Sequence, residues 1–554
     1  MYGLLLALVA SLPFEPIQPL VSLGFLDINH LKLLLGAIGL VWVVQLAGNR
    51  HVPKETWAAA AFTGTALASA LVAESFRGEA LKFVGRLASG VFAFLVVRHT
   101  LSRNPSRLPA LAWAVSLGAG LSALLGIGEV APWPPLDPVL RLFKVAPTRV
   151  GGDLRLSASF QYATIAAVFF ELAVPLALML AATEAARWRR LVACGIAIVC
   201  SVGVVLTLTR AGMLALAAAL GLLLLLALSR PRCRKLLLPT ALAGASGAVV
   251  LGLVAIRLDS FSARFKTEND WGWYAATYAA PATLTLAEDV PINAAVTVRN
   301  TGQVTWTSDG PQRFALAYRW LSGDAASQLE VPATLLDLPQ NVAPGDALQL
   351  TVEVAAHLPP GDYRLAWGML QQHVLWFHDR GDADAETLVH VTNTGVASSI
   401  TPVPEEPRSD ASPALPPIPR AELWSAALRM FRDHPVFGVG PDNFRHVYGT
   451  YLGLPRWDDR VHANNLYLEL LADLGALGFV AFGLLVTPTV VGVTRGLRSA
   501  PTTWGAVWLA TLGASLLAFF VHSTLDSFLE FTPVYLLFWL IIGMSASAAK
   551  LDRC

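Results

Sequence analysis

Runs of about twenty apolar residues recur along this chain, each long enough to cross the roughly 30 Å hydrocarbon core of a bilayer as a helix. About twelve such spans are predicted, near 3–22, 31–47, 56–73, 79–97, 108–128, 159–182, 191–208, 211–228, 236–256, 473–494, 502–522 and 531–549. Pro13, Pro16 and Pro19 interrupt the first, which reads as a broken span, a re-entrant piece or a signal-like segment, although no small-residue cleavage site stands out. Composition agrees: 55% of residues are hydrophobic and 14% charged, against about 25% charged in an average soluble domain. An ordinary soluble enzyme is excluded. The expected fold class is an all-α polytopic membrane protein, with a β-sandwich domain inserted in a large extracytoplasmic loop.

Forty Lys and Arg balance 39 Asp and Glu, which leaves no basic footprint for nucleic acid. The basic residues are placed unevenly. Lys and Arg accumulate on the cytoplasmic side of membrane proteins, and an N-terminus inside makes every cytoplasmic connection basic: 50–54, the Arg98/Arg103/Arg107 loop, 187–190, 230–235, 495–498 and the tail with Lys550 and Arg553. Segment 257–472 then lies outside, with 15 Lys and Arg against 25 Asp and Glu. Cys194, Cys200, Cys233 and Cys554 form no CxxC pair, so neither a zinc site nor a disulfide framework is indicated.

Between 276 and 395 the texture changes to period-2 alternation: Phe314, Leu316, Tyr318 and Trp320, then Leu348, Leu350, Val352 and Val354, then Tyr363, Leu365, Trp367 and Met369. Turn signals such as Pro344-Gly345-Asp346 separate them, the pattern of an antiparallel β-sandwich. The stretch "VTVRNTGQVTWT" with "LPPGDYRLAWGM" resembles bacterial immunoglobulin-like modules. A Pro- and Ser-rich linker, 401–419, follows. The expected organisation is a membrane domain of about nine helices over 1–256, an outer loop over 257–275 and 396–472, the β-sandwich over 276–395 and three last helices over 473–554. The module reads equally as a glycan or partner binder and as a spacer.

Ionisable residues at the membrane boundary are costly and so mark candidate sites, although near helix ends they also snorkel. Arg210 lies between two strongly apolar runs, and its guanidinium offers a fixed fork of donors matching phosphate oxygens. It reads either as a phosphate ligand or as an interfacial anchor. His462, just before the chain re-enters the membrane, is a candidate general base for a hydroxyl, or simply a solvated loop histidine. Asn464 and Asn465 are placed to orient that ring or bind sugar. His434, His446 and His522 carry the same ambiguity. Lys82 and Arg86, one turn apart, read as a cationic path for phosphates or as snorkelling residues. His522 and Asp526 in "FVHSTLDSFLE" face outward in this topology.

Three ordered segments, "TLTRAGMLAL", "ELWSAALRMFRDHPVFGVGPDNFRHVY" and "HANNLYLELLADLGALGFVAFGLL", resemble the O-antigen ligase family of bacterial ligases and polymerases. The likeness covers roughly 400 residues and leaves out the β-sandwich. It implies a mostly helical fold of about twelve spans in the bacterial inner membrane. It also implies transfer of a glycan from an undecaprenyl-diphosphate carrier to a lipid or glycan acceptor, without metal, cofactor or nucleotide sugar. On the matching positions Arg210 engages the carrier diphosphate and His462 activates the acceptor hydroxyl, with an inverting displacement. Arg264 or Arg420 matches an arginine ahead of the "W..A" helix. Arg155 stands where many members have an arginine before a Pro-Asn pair, replaced here by Gln161-Tyr162. Pro435, Gly438 and Gly440 turn the chain beneath the site or merely end a helix. The competing expectation is a multi-span polysaccharide transporter or an envelope scaffold with an outer binding domain. The nine-plus-three arrangement lacks the paired half-repeats usual in transporters.

Overall fold

Backbone groups inside a bilayer must be satisfied within their own element, and the apolar runs form helices in the computed structural model. It describes residues 1–551 apart from 23–26, 48–54, 132, 268–269, 288–289, 311, 323–328, 330, 393–414 and 416. The basic 50–54 loop (its first five residues), Arg553, Cys554 and most of the 401–419 linker therefore lie outside the described residues. In order come α1 (Tyr2–Ser11), α2 (His30–Ala47), α3 (Glu55–Val72), α4 (Arg77–Arg103), α5 (Leu108–Val130), α6 (Asp137–Leu140), α7 (Ala163–Thr183), α8 (Arg187–Leu206), α9 (Arg210–Ser229), α10 (Leu237–Arg257), α11 (Asp259–Lys266), α12 (Arg420–Asp433), α13 (Phe444–Leu452), α14 (Leu466–Ser499), α15 (Thr503–His522) and α16 (Thr532–Leu551). Among the described residues eight helices are long and apolar enough to cross a membrane. Four shorter apolar helices accompany them: Tyr2–Ser11, His30–Val44, Thr56–Val72 and Thr532–Ala548. The first is shorter than the expected 3–22 run, because prolines follow directly and supply no N–H for a continuing ladder.

The chain divides into two units, Met1–Thr148 with Leu154–Ile256 and Pro419–Cys554, and Arg149–Asp153 with Arg257–Ile418. In the helical unit α7 is apolar on every face and almost wholly buried, as a central helix must be. It packs against α5, α8, α9 and α15; α15 in turn meets α16, which lies on α4 and α14. The interior is one continuous cluster running through these helices.

α14 is broken near its start. Gly475 has φ 62° and ψ −169°, a conformation closed to other residues. The segment "HPVFGVG" docks at the break: Ala476 N–H donates to Pro435 O at 2.8 Å, Val439 N–H to Ala472 O at 2.9 Å, and Gly440 N–H to Asp473 O at 3.0 Å. The backbone groups freed by the interruption are thereby satisfied. A Cβ on Gly475 would lie 2.5 Å from the Val436 backbone, and one on Gly438 (φ 69°) 2.4 Å from Ala472 O.

Two short ribbons pair β1 (Val21–Ser22) with β2 (Asp27–Ile28) and β3 (Arg149–Val150) with β4 (Asp153–Leu154). The second unit carries β5 (Ala276–Ala279), β6 (Thr283–Ala287), β7 (Ile292–Asn300), β8 (Phe314–Ser322), β9 (Thr334–Asp337), β10 (Ala347–Val354), β11 (Gly361–Gln371), β12 (Leu375–Trp376) and β13 (Ala385–Thr392). A three-stranded sheet runs β10-β7-β5, and a six-stranded one β6-β13-β11-β8-β9 with β12 beside β11. Among the described residues the strand pairs within these sheets are antiparallel except β13 with β6. The sheets reach each other where Met369 N–H donates to Tyr278 Oη at 3.0 Å. β7 alternates as its sequence does, burying Ala294, Val296 and Val298. β8 buries both faces, because Ala315 and Ala317 are covered along with Phe314, Leu316 and Tyr318.

Candidate functional site

α14 begins at Asn465, whose side-chain oxygen accepts from Tyr467 N–H at 3.0 Å and Leu468 N–H at 3.1 Å, a helix cap. One turn on, Glu469 and then Asp473 occupy positions four apart, hence one face of the helix. Acidic residues in so apolar a helix need partners. Glu469 Oε1 meets His462 Nδ1 at 2.7 Å and its Oε2 accepts from Ala463 N–H at 3.1 Å, closing the 462–469 turn on itself. Asp473 accepts from Asp442 N–H at 2.8 Å and Phe444 N–H at 2.9 Å, holding the turn that starts α13. That turn places Asp442, at φ 65°, beside His462, and Arg445 donates to its carboxylate at 2.9 Å.

The other ring nitrogen of His462, Nε2, pairs with Glu530 Oε2. His462 is thus clamped between two carboxylates, and both its side chain and that of Glu469 are about nine-tenths buried. Burial alone would lower the imidazole pKa, but Glu469 and Glu530 outweigh it and hold the ring well above 6.5. Burial pushes Glu530 up in turn, partly offset by His462. Asp442, His462 and Glu530 present ligand atoms within 4.8 Å of one another, a donor set that could hold a divalent cation. Here Asp442 is engaged by Arg445 and Nε2 by Glu530.

Glu530 also borders a cavity of about 250 Å³ with Arg86, Lys32, Glu15, Asn29 and Gln161. Arg86 Nη1 donates to the Glu530 backbone carbonyl, tying α4 to this wall.

A family model for O-antigen ligase matches residues 396–483, the stretch that supplies His462, Glu469, Asp442 and Asp473. Over that stretch the chain carries an O-antigen ligase domain. It is an integral membrane protein and an enzyme of the glycan-transferring ligase and polymerase class. No curated protein matches the sequence.

The other expected residues are distributed as follows. Arg210 opens α9, directly after Leu208 at φ 52° and Thr209. Arg155 binds that same corner: its Nε donates to Thr207 O at 2.9 Å and its Nη2 to Thr209 Oγ1 at 3.0 Å. The loop carrying Arg155 is pinned by buried Glu129, which pairs with Lys144 and accepts from Ala158 N–H at 2.9 Å. Beneath the first turn of α9, Glu171 and His522 form a fully buried pair at 3.0 Å, with Asp526 3.7 Å from the far ring nitrogen. A Cβ on Gly212 would lie 3.5 Å from both members of the pair. The segment 522–530 then runs to the His462 side, where Thr524 O accepts from Asn465 Nδ2 at 3.1 Å. One stretch of nine residues links the surroundings of Arg210 and His462.

Lys82 pairs with Glu79 at 2.7 Å, while Arg86, one turn on, lines the cavity. Asn465 is committed to capping, and Asn464 takes a left-handed turn at φ 50° that asparagine tolerates. Arg420 opens α12 in the helical unit, whereas Arg264 lies on α11 in the other unit. His434 caps α12, and His446 stacks on Phe76 with ring centroids 4.5 Å apart. Sequence reasoning missed Glu469, Asp473, Asp442, Glu530 and Lys32. For Glu469 and Asp473 a signal existed: two acids four residues apart inside an apolar helix.

Proposed function

We propose that the chain moves a glycan from an undecaprenyl-diphosphate carrier to an acceptor hydroxyl on the outer face of the bacterial inner membrane. The observation that carries this reading is that the segment matching O-antigen ligase contributes His462 together with the carboxylate that orients it. The four shorter apolar helices complete twelve spans with the eight longer ones, and the β unit belongs to the outer loop as an immunoglobulin-like insertion. A lipid diphosphate leaves readily once its growing charge is held by fixed cations sheltered from water. Arg210 supplies such a cation, its approach fixed by the Arg155-bound corner. The acceptor oxygen attacks the anomeric carbon from the opposite side, inverting it, and its proton passes into the carboxylate–histidine–carboxylate cluster. No step requires a metal.

The test is purified protein in detergent with an undecaprenyl-diphosphate disaccharide and a sugar acceptor, following release of the carrier diphosphate. Arg210→Ala is expected to abolish release while the protein remains folded and membrane-inserted. Unimpaired release by that variant overturns the diphosphate assignment.

A further inference from the structure

His462 has no nitrogen to spare. A carboxylate is an acceptor only when ionised, so with Glu469 on Nδ1 and Glu530 on Nε2 two arrangements are available. Either the ring is an imidazolium donating to both, or a protonated Glu530 donates to Nε2. Neither leaves a lone pair on the ring for an incoming hydroxyl. Access points the same way: the Glu530 side chain is 23% exposed and that of His462 8%, and Glu530, not His462, is among the residues lining the 250 Å³ cavity. Glu530 meets His462 through Oε2.

We propose that the cavity is the pocket for the acceptor saccharide and that Glu530 is the catalytic residue that receives the acceptor's proton. The assignment rests on the glycan-transfer reading above. The pocket is smaller than the roughly 300–1,000 Å³ of sites that enclose whole ligands, which suits the end of a sugar chain. Its lining includes both donors and acceptors: Lys32 and Arg86, Glu15 and Glu530, and the amides of Asn29 and Gln161. That is the complement of a hydroxyl-rich ring. In the step, the acceptor O–H bond breaks and its proton goes to Glu530 in the ionised form. The acceptor oxygen forms the bond to the anomeric carbon, and the bond from that carbon to the diphosphate breaks, its electron pair leaving with the carrier. His462, held by Glu469, keeps Glu530 aimed and supplies the positive partner that lets a buried carboxylate remain ionised until the proton arrives.

The experiment compares wild type, Glu530→Gln and Glu530→Asp at mildly alkaline pH with two acceptors, methyl glucoside and 4-nitrophenol, the latter's proton being already largely dissociated there. With methyl glucoside, Glu530→Gln should lose about 10²–10⁴-fold in turnover, the range for a proton-transferring side chain, while Glu530→Asp recovers part of it. With 4-nitrophenol the loss should be less than tenfold. Equal losses with both acceptors, or unchanged turnover, overturn the assignment while leaving the glycan-transfer reading intact. If wild-type protein transfers to neither acceptor and releases no carrier diphosphate, that reading fails and this one with it.

Discussion

A histidine between two carboxylates performs different chemistry from a histidine in water, and Glu469 sets the difference. By fixing Nδ1–H it decides that Nε2 faces Glu530, the role played by outer carboxylates behind reactive or metal-binding histidines. Glu469→Gln keeps the shape but removes the charge, and turnover is expected to fall about 10–100-fold with little change in donor KM, measured by steady-state carrier release. The charge also enters stability. His462 is held well above its unfolded value of about 6.5, so its stabilising contribution is complete below that pH and is lost as pH rises through the folded value. Thermal unfolding in detergent should therefore separate wild type from His462→Gln most at pH 6, with the gap closing at alkaline pH. A gap that does not vary with pH would show the ring to be neutral. For Arg210 the guanidinium fork matters beyond its charge, so Arg210→Lys, which keeps only a point charge, should lose at least tenfold in turnover.

At the scale of elements, the decisive feature is the break in α14 and the chain that fills it. Gly475 and Gly438 both sit at positive φ with backbone about 2.5 Å from where a Cβ would stand, whereas Gly310, at φ 84°, has open space around it. Gly438→Ala and Gly475→Ala should each destabilise the fold by more than the ~1–3 kcal/mol of left-handed strain, because strain and collision add. Gly310→Ala should show strain alone, and thermal unfolding of the three variants ranks them. Activity should fall with the first two, since Asp473, which positions Asp442, lies two residues before the break. Much of this was legible in sequence. The apolar runs announced α4, α5 and α7 to α10, and Pro435, Gly438 and Gly440 announced a turn near the site. That the turn would insert into a helix was not, because Gly475 in "ADLGALG" looks like any glycine of a membrane helix, and its conformation is decided by Val436 and Phe437 some forty residues earlier. Glu530 was hidden for a similar reason: its partner His462 is distant in sequence, and only packing of α16 on α14 brings the two segments together.

For the whole molecule, charge is sorted before it is used. The 257–472 segment, with its excess of Asp and Glu, includes both the β unit and the His462 loop, so that segment is acidic on balance while the proposed chemistry needs cations. The resolution is local. Arg155 and Arg86 are placed by side-chain contacts with Thr209 and by a backbone bond to Glu530, which makes them part of the helical unit's own frame. The residues that hold His462, namely Glu469, Asp442, Asp473 and Glu530, also belong to that unit. The β unit has a core of its own around Trp306, Trp367 and Phe377, and a cleft of about 270 Å³ bordered by Asp153, Asp309, Gln312 and Gln371, polar groups suited to a saccharide. Catalytic residues and β module therefore separate, and removing 276–395 should leave transfer to methyl glucoside within about threefold of wild type. If the cleft gathers longer glycans, the same deletion should raise the KM for an oligosaccharide acceptor without lowering kcat. A folded deletion protein that transfers to neither acceptor would place part of the reaction site in the β unit.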